Sequence, residues 1–532
     1  MVGEKRSGSL LSRIAITGSP FTGVRRVWDL IPGYSKMQFG FTLVFGLLIH
    51  MYVMVNSFIN HDSVAVMADN RWAYLYNGRW FGIVPDVLST NFNLMWVNSL
   101  LSILYISLAV ALIGACLGIK RTLMSLVLSV IVVSFPTVAC GLSYRLDSDV
   151  HFLAVLLACL AAWLVLRYRF GFIAAAVVLV LSLATYQAYV GFFAGIAVLA
   201  LIRDLLSGGK MTDALLKAAK FLVTLGVGVS VYLVSVRLAY SGGGYKGVGT
   251  LSGLTLQTLP KRIGFAYQNI FDIFFRNSLA IHRGYFASKY VFVLAALLVL
   301  VLLVVTILSR RVFVDLPRLI CLVVLIVLVP PTTNVVAILS PDYLYLLMQY
   351  SLVLLFVLAL VLVDVAEQAV EESPVTAHLL VSHIVSWVTV AFCCLAAFNY
   401  TLYSNVFYSK MDLVNSQGRA FSTTLVTRLQ SEDYYTVDKP IVLYGTTPRS
   451  FALGYYNNFF AIPIEDIPSM YSYPAYLLTY LDLKNPLYSK DSLPPELGND
   501  AAALTSISSL PDYPNAGSIV QVDGVIVVKF SS

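Results

Sequence analysis

Tyr290-Val-Phe-Val-Leu-Ala-Ala-Leu-Leu-Val-Leu-Val-Leu-Leu-Val-Val-Thr-Ile-Leu-Ser309 runs for twenty residues without a charge, between Lys289 and Arg310. An α-helix of that length covers about 30 Å, the thickness of a bilayer's hydrocarbon core. Hydrocarbon admits only segments that satisfy their own backbone groups, so the stretch reads as a transmembrane helix. Similar apolar runs lie roughly at 38–58, 94–118, 122–142, 149–166, 170–186, 189–206, 219–239, 317–339, 344–363 and 379–399, which makes about eleven. Pro330-Pro331 predict a kink or break in the ninth. Of the 532 residues 58% are hydrophobic and 12% charged, half the roughly 25% charge of a soluble chain. The composition is that of a polytopic α-helical membrane protein. The first run begins near Gln38 behind a polar segment, which argues against a cleaved signal peptide. The six cysteines fall in apolar runs, so no disulfide framework or zinc spacing is implied.

The net charge of +7 needs no nucleic-acid partner, because the basic residues follow a membrane topology. Lys5, Arg6, Arg13, Arg25, Arg26 and Lys36 precede the first run. With that end cytoplasmic, Lys120/Arg121, Arg167/Arg169, Arg203/Lys210/Lys217/Lys220 and Arg310/Arg311/Arg318 also fall inside. An odd number of spans sends the C-terminus out. The expected organisation is a cytoplasmic segment 1–37, a membrane domain 38–400 with outer loops 59–93 and 240–289, and an extracytoplasmic α/β domain 401–532. In the last, Ser416–Leu429 suits a helix and Pro440–Tyr444 a buried strand. Asp523-Gly524 is a hairpin turn between Ser518–Val522 and Val525–Phe530.

Three outer segments carry cations against the rule: Arg71 and Arg79, Arg145, and the loop 240–289 with Lys246, Lys261, Arg262, Arg276, Arg283 and Lys289. An anionic ligand at the outer face is an economical reason. In that loop Pro260 opens a helix on which Ile263, Tyr267, Ile270, Phe271 and Phe274 share a face. It reads as an amphipathic helix at the membrane interface, or as a helix packed on the C-terminal domain.

Several polar groups could carry chemistry. Asp62, in Asn60-His61-Asp62, sits just beyond the first span and suits a general base; a solvated loop residue or helix cap is the plainer reading. Asp147 and Asp149 share its face and could bind sugar hydroxyls or a metal, or cap the following helix. Arg71, Trp72, Tyr76, Asn77, Arg79 and Trp80 combine flat rings with hydrogen-bonding groups, as sugar sites do and as an interfacial aromatic belt does. Tyr186 and Gln187 interrupt an apolar run and face either an outer cavity or a neighbouring helix.

Tyr76-Asn-Gly-Arg-Trp80, Asp147-Ser-Asp149 leading into an apolar helix, and Leu183-Ala-Thr-Tyr-Gln-Ala-Tyr189 resemble the GT-C glycosyltransferases, and within them the type II glucosyltransferases of surface-glycan decoration. The resemblance covers the first 200 residues best and is architectural thereafter. It implies an inverting transfer of a sugar, glucose by analogy, from polyprenyl (undecaprenyl) phosphate to an envelope glycan or glycolipid, in the plasma or inner membrane. It puts the general base on Asp62, with Asp69 as the competitor, and the phosphate on Arg262 and Arg276, then Lys261 and Arg283. Arg71, Tyr76, Asn77, Arg79, Trp80, Asp147, Asp149, Tyr186 and Gln187 would line the substrate. No cofactor is required; a divalent metal at Asp147 and Asp149 stays open. A flippase for lipid-linked glycans would instead call for internal repeats and mid-membrane charges. A non-catalytic envelope scaffold would tolerate alanine throughout the outer clusters.

Overall fold

The computed structural model describes residues 25, 28–65, 71–89, 94–239, 253–276, 289–342, 344–372, 376–447, 467–497 and 501–531. Among these, nine helices are long and apolar enough to cross a bilayer. Thr122–Ser134 and Pro136–Ser143, bent by 43° at Phe135, form a tenth as a broken span. The fifth expected span is shorter than that length. Gly171–Leu183 has 13 residues, about 20 Å of helix against about 30 Å of hydrocarbon. It stops because Thr185–Gln187 turn back towards the first loop. The ninth run holds its helix through Pro330 and Pro331 to Thr333 and breaks at Asn334, three residues beyond Pro331.

Burial sorts the spans into centre and rim. Gln187–Leu206 and Leu346–Ala369 are each 83% buried over their apolar windows. Met211–Ala239, Phe292–Ser309 and Leu316–Thr333 are only 22, 17 and 22% buried. These three present Leu222, Val231, Leu297, Leu300, Ile320 and Val324 outward, a surface that hydrocarbon covers and water would not.

Turns gather at two ends. At one, Arg121 pairs with Glu371 at 2.8 Å and Asp364 at 3.6 Å, and Arg318 donates to the Gly209 carbonyl at 3.2 Å. The other, the site end, holds the turns after Val55, Ser143, Leu183 and Thr333, together with the C-terminal domain.

That domain is continuous with the membrane bundle. Thr376–Gln430 is one helix of 55 residues, about 80 Å long, so residues 400 and 401 lie within an unbroken rod. Its last turns enter a small core. There β1 (Ile441–Tyr444), β2 (Leu487–Ser489), β3 (Ile519–Val522) and β4 (Val525–Lys529) form a sheet in the order β2-β1-β4-β3. β1 is parallel to β2 and β4, and β3 antiparallel to β4. Positive φ at both Asp523 (49°) and Gly524 (83°) gives the tight hairpin turn that matches strand twist. β1 and β4 are buried on both faces and, apart from Tyr444 and Lys529, consist of β-branched and aliphatic residues, as sheet centres do.

Two residues of this core come from the other end of the chain. Ile59 and Val64, 3% and 2% exposed, pack in one cluster with Leu425, Leu429, Tyr473, Tyr476 and Leu477. The Ile59 N–H donates to Asn415 Oδ1 at 2.6 Å, and Arg419 donates to the Ser57 carbonyl at 2.6 Å. Replacing Ile59 by Ala is expected to destabilise the C-terminal domain by about 2–5 kcal/mol. A fall in its thermal midpoint in detergent, with faster proteolysis after residue 400, is the check.

Candidate active site

The first loop turns at Asn60, whose side chain accepts from the Asp62 N–H at 3.0 Å and so starts the short helix His61–Ala65. Asp62 Oδ1 accepts from the Tyr471 hydroxyl at 2.7 Å and lies 3.3 Å from His61 Nε2. The Asp62 side chain remains 40% exposed. His61 packs edge-on against Tyr471 and Tyr144, 5.3 and 5.8 Å between centroids. Tyr471 belongs to the C-terminal domain, so that domain supplies part of the first loop's surroundings.

Arg145, in the turn after the broken span, is 1% exposed. Its Nη2 donates to the Asn56 and Val53 carbonyls at 2.6 and 3.3 Å. It satisfies part of the carbonyl end of the first span, where helix dipole and positive charge complement each other, while its Nε and Nη1 are buried without a partner.

Beyond it is a cluster of acids. Tyr74 donates to Asp147 Oδ1 at 2.6 Å, and Asn98 donates to Asp149 Oδ1 and the Leu146 carbonyl, both at 3.2 Å. Asp147 occupies the N-cap position of Ser148–Arg167 without a capping hydrogen bond; Tyr74 holds its carboxylate instead. Asp86, fully buried in the helix Ile83–Leu88, joins them. Burial, reinforced by Asp147 and Asp149, pushes its carboxyl up to about 7. Burial, then the charges of Asp147 and Asp86, hold the Tyr74 hydroxyl well above its usual range, so it stays a donor. Asp86 escapes a sequence reading because an acid in Ile-Val-Pro-Asp-Val-Leu looks like an ordinary loop residue. Among the described residues no group of three or more His, Cys, Asp or Glu side chains is arranged to hold a metal ion.

The segment Asn77–Gly82 is stitched to the turn after Leu183. Gln187 Nε2 donates to the Asn77 carbonyl at 2.8 Å and the Tyr232 hydroxyl at 2.7 Å. Tyr232 donates to the Gly78 carbonyl, and the Phe81 N–H donates to the Ala184 carbonyl. Gly78, at φ +69°, is required: a Cβ there would meet the Tyr232 hydroxyl at 2.9 Å. Trp80 Nε1 donates to Ser235 at 2.9 Å. The amide of Gln187 and the indole of Trp80 are thus engaged within the protein, while Tyr76 is 40% exposed. The Arg79 guanidinium lies 4.4 Å over the Tyr186 ring, and His151 packs on that ring at 4.4 Å. Burial pushes the Tyr186 hydroxyl up to about 12, with Arg79 opposing and Asp147 and Asp62 reinforcing. The first-loop acid, the Asp147 turn and Arg79 therefore share one electrostatic neighbourhood. Asp69 and Arg283 lie outside the described residues, as do the side chains of Arg71 and Trp72.

The helix Leu259–Phe271, with Pro260 in its first turn, lies against Leu316–Thr333 and Val335–Leu339. Phe274 is buried, while Tyr267 and Phe271 are 37 and 51% exposed. Arg262 donates to the Ile338 and Leu339 carbonyls at 3.1 and 3.4 Å. Arg276 pairs with Asp272 at 3.2 Å, and Lys261 is exposed. An amide lock that sequence reasoning missed fixes this helix. Asn334 donates to Asn269 Oδ1 at 2.9 Å, and Gln349 donates to the same oxygen.

Nine or ten bilayer-length helices among the described residues, with acids, a guanidinium and tyrosines gathered at one end beneath an α/β domain, define a polytopic membrane protein with a polar site at its rim. The family profile described as Glucosyl transferase GtrII matches residues 51–362, more than half of the chain, and the chain belongs to that family. It is a glycosyltransferase, which acts on a sugar donor and an acceptor. The match includes Asp62, Asp86, Asp147, Arg79 and Tyr186 and ends before the C-terminal domain. No curated protein and no solved structure matches the chain.

Asp86 sets a pH dependence of stability. Its carboxyl holds a proton to about 7 when folded, against 3.8 as the ordinary value. Between these pH values the folded state binds the extra proton, so stability falls as pH rises from about 4 to about 7. Asp86→Asn is expected to flatten this decline, read as thermal midpoints of both proteins across that range.

Proposed function

We propose that this glycosyltransferase is of GT-C type and transfers glucose, with inversion, from a polyprenyl-phosphate carrier to an envelope glycan or glycolipid on the outer face of the membrane. The observation that carries the reading is Asp62, held at the mouth of the first span by Tyr471 and His61 and open on one side. It shares its neighbourhood with Asp147, Tyr186 and Arg79. The distribution of basic turns supports a cytoplasmic N-terminus and an extracytoplasmic C-terminal domain. Segments 1–37, 38–400 and 401–532 then act as inner anchor, membrane catalytic domain and outer support.

In the proposed reaction the Asp62 carboxylate accepts the proton of an acceptor hydroxyl. The freed oxygen pair forms the new bond to the anomeric carbon from the face opposite the phosphate. The anomeric carbon–oxygen bond breaks, and its electron pair leaves on the lipid phosphate. Outer-face cations offset the charge that grows there. The sequence's candidates for this are Arg262, Arg276, Lys261 and Arg283. Asp69 is the alternative base. Arg71, Tyr76, Asn77, Trp80, Tyr186 and Gln187 border the sugar, and Asp147 and Asp149 orient its hydroxyls or the Tyr74 side.

The test is release of polyprenyl phosphate from polyprenyl-phosphate-glucose by protein in nanodiscs, with a panel of envelope acceptors. Asp62→Asn is expected to insert and fold normally and to lose about 10²–10⁴-fold in rate. Equal turnover by variant and wild type would overturn the assignment of the base. Transfer from nucleotide-glucose alone would overturn the lipid donor.

A further inference from the structure

Arg79 differs from the other site-end arginines. Arg145, Arg262 and Arg419 each donate to backbone carbonyls, and Arg276 to a carboxylate. Among the described residues the Arg79 guanidinium has no hydrogen bond and no ion pair; its Nε, like those of Arg145 and Arg419, is buried without a partner. The guanidinium is half-buried, and a cation partly withdrawn from water favours a counter-charge, which the Tyr186 ring beneath it replaces only in part. The acids that could serve are held elsewhere, Asp147 by Tyr74 and Asp149 by Asn98.

The position is also rigid. Gln187 and Tyr232 pin Asn77 and Gly78, just before Arg79. The Phe81 and Gly82 N–H groups fix the chain just after it to the Ala184 carbonyl. On the same Tyr186 ring His151, 4% exposed, leaves Nδ1 without a hydrogen-bond partner. A preorganised, unpaired planar fork beside a second unsatisfied polar group is what a phosphate monoanion or dianion fits.

We infer that Arg79 is the primary anchor for the phosphate of an isoprenyl-phosphate ligand, with Lys261 and Arg276 secondary to it. This rests on the lipid-phosphate reading of the donor above.

The test is calorimetric binding to full-length protein in nanodiscs, using farnesyl phosphate, farnesol and inorganic phosphate. Farnesyl phosphate is expected to bind wild type and Arg169→Gln alike, and to bind Arg79→Gln at least about tenfold more weakly. Arg79→Lys, which keeps the charge and loses the fork, is expected to fall between. It carries the test if Arg79→Gln fails to fold by size exclusion and thermal midpoint. Farnesol is expected to bind weakly and equally to all. Unchanged affinity in folded Arg79 variants overturns the assignment and leaves the donor reading standing. No binding of farnesyl phosphate to wild type overturns the donor reading itself. Inorganic phosphate binding as tightly as farnesyl phosphate overturns the lipid ligand.

Discussion

The hydrogen bond from the Ile59 N–H to Asn415, 356 residues along the chain, is the constraint on which the site depends. A five-residue helix such as His61–Ala65 has no stability of its own in water, since it barely passes the nucleation step. It is helical because Ile59 and Val64 are buried in the core of another domain, each contributing about 1.5–3 kcal/mol. Arg145 and Arg419 then satisfy the neighbouring Asn56 and Ser57 carbonyls just before it. The acid is therefore set on a joint between the first and last spans, with the fixed position a catalytic group needs.

The charges at this end are managed unevenly. Tyr74, Asp86, Asp147 and Asp149 form a cluster in which one carboxyl stays protonated near neutrality, so close approach of three acids costs less than full ionisation would. Beside the Arg262 bonds to carbonyls, the amphipathic helix is fastened by the neutral Asn269, Asn334 and Gln349 amides. Neutral amides avoid the desolvation penalty of an ion pair and are indifferent to salt.

The membrane class, the span positions, the strand at Pro440–Tyr444 and the Asp523-Gly524 hairpin are legible in the sequence because each is a local pattern of hydropathy or turn chemistry. The short helix Gly171–Leu183 was not legible, since apolar residues continue past the point where Thr185 turns. The same holds for the break at Asn334, displaced from the prolines because the amide lock lies three residues on. Asp62, the Asp147 turn and Arg79 stand out as polar groups beside apolar runs, and the fold brings them together. Asp86, His151 and Tyr471 acquire meaning only through contacts between distant segments. The carbonyl partners of Arg145 are invisible in sequence for the same reason.

The joint also orders events in the making of the protein. A ribosome completes the turn bearing Asp62 hundreds of residues before it makes Asn415, Tyr471 and the strands of the sheet. Until those arrive, Ile59 and Val64 have no core to enter and the acid has no fixed place. A nascent or truncated chain thus carries the residues of its first loop without their arrangement. Completion of the last domain works as a maturation step, confining an assembled site to finished molecules.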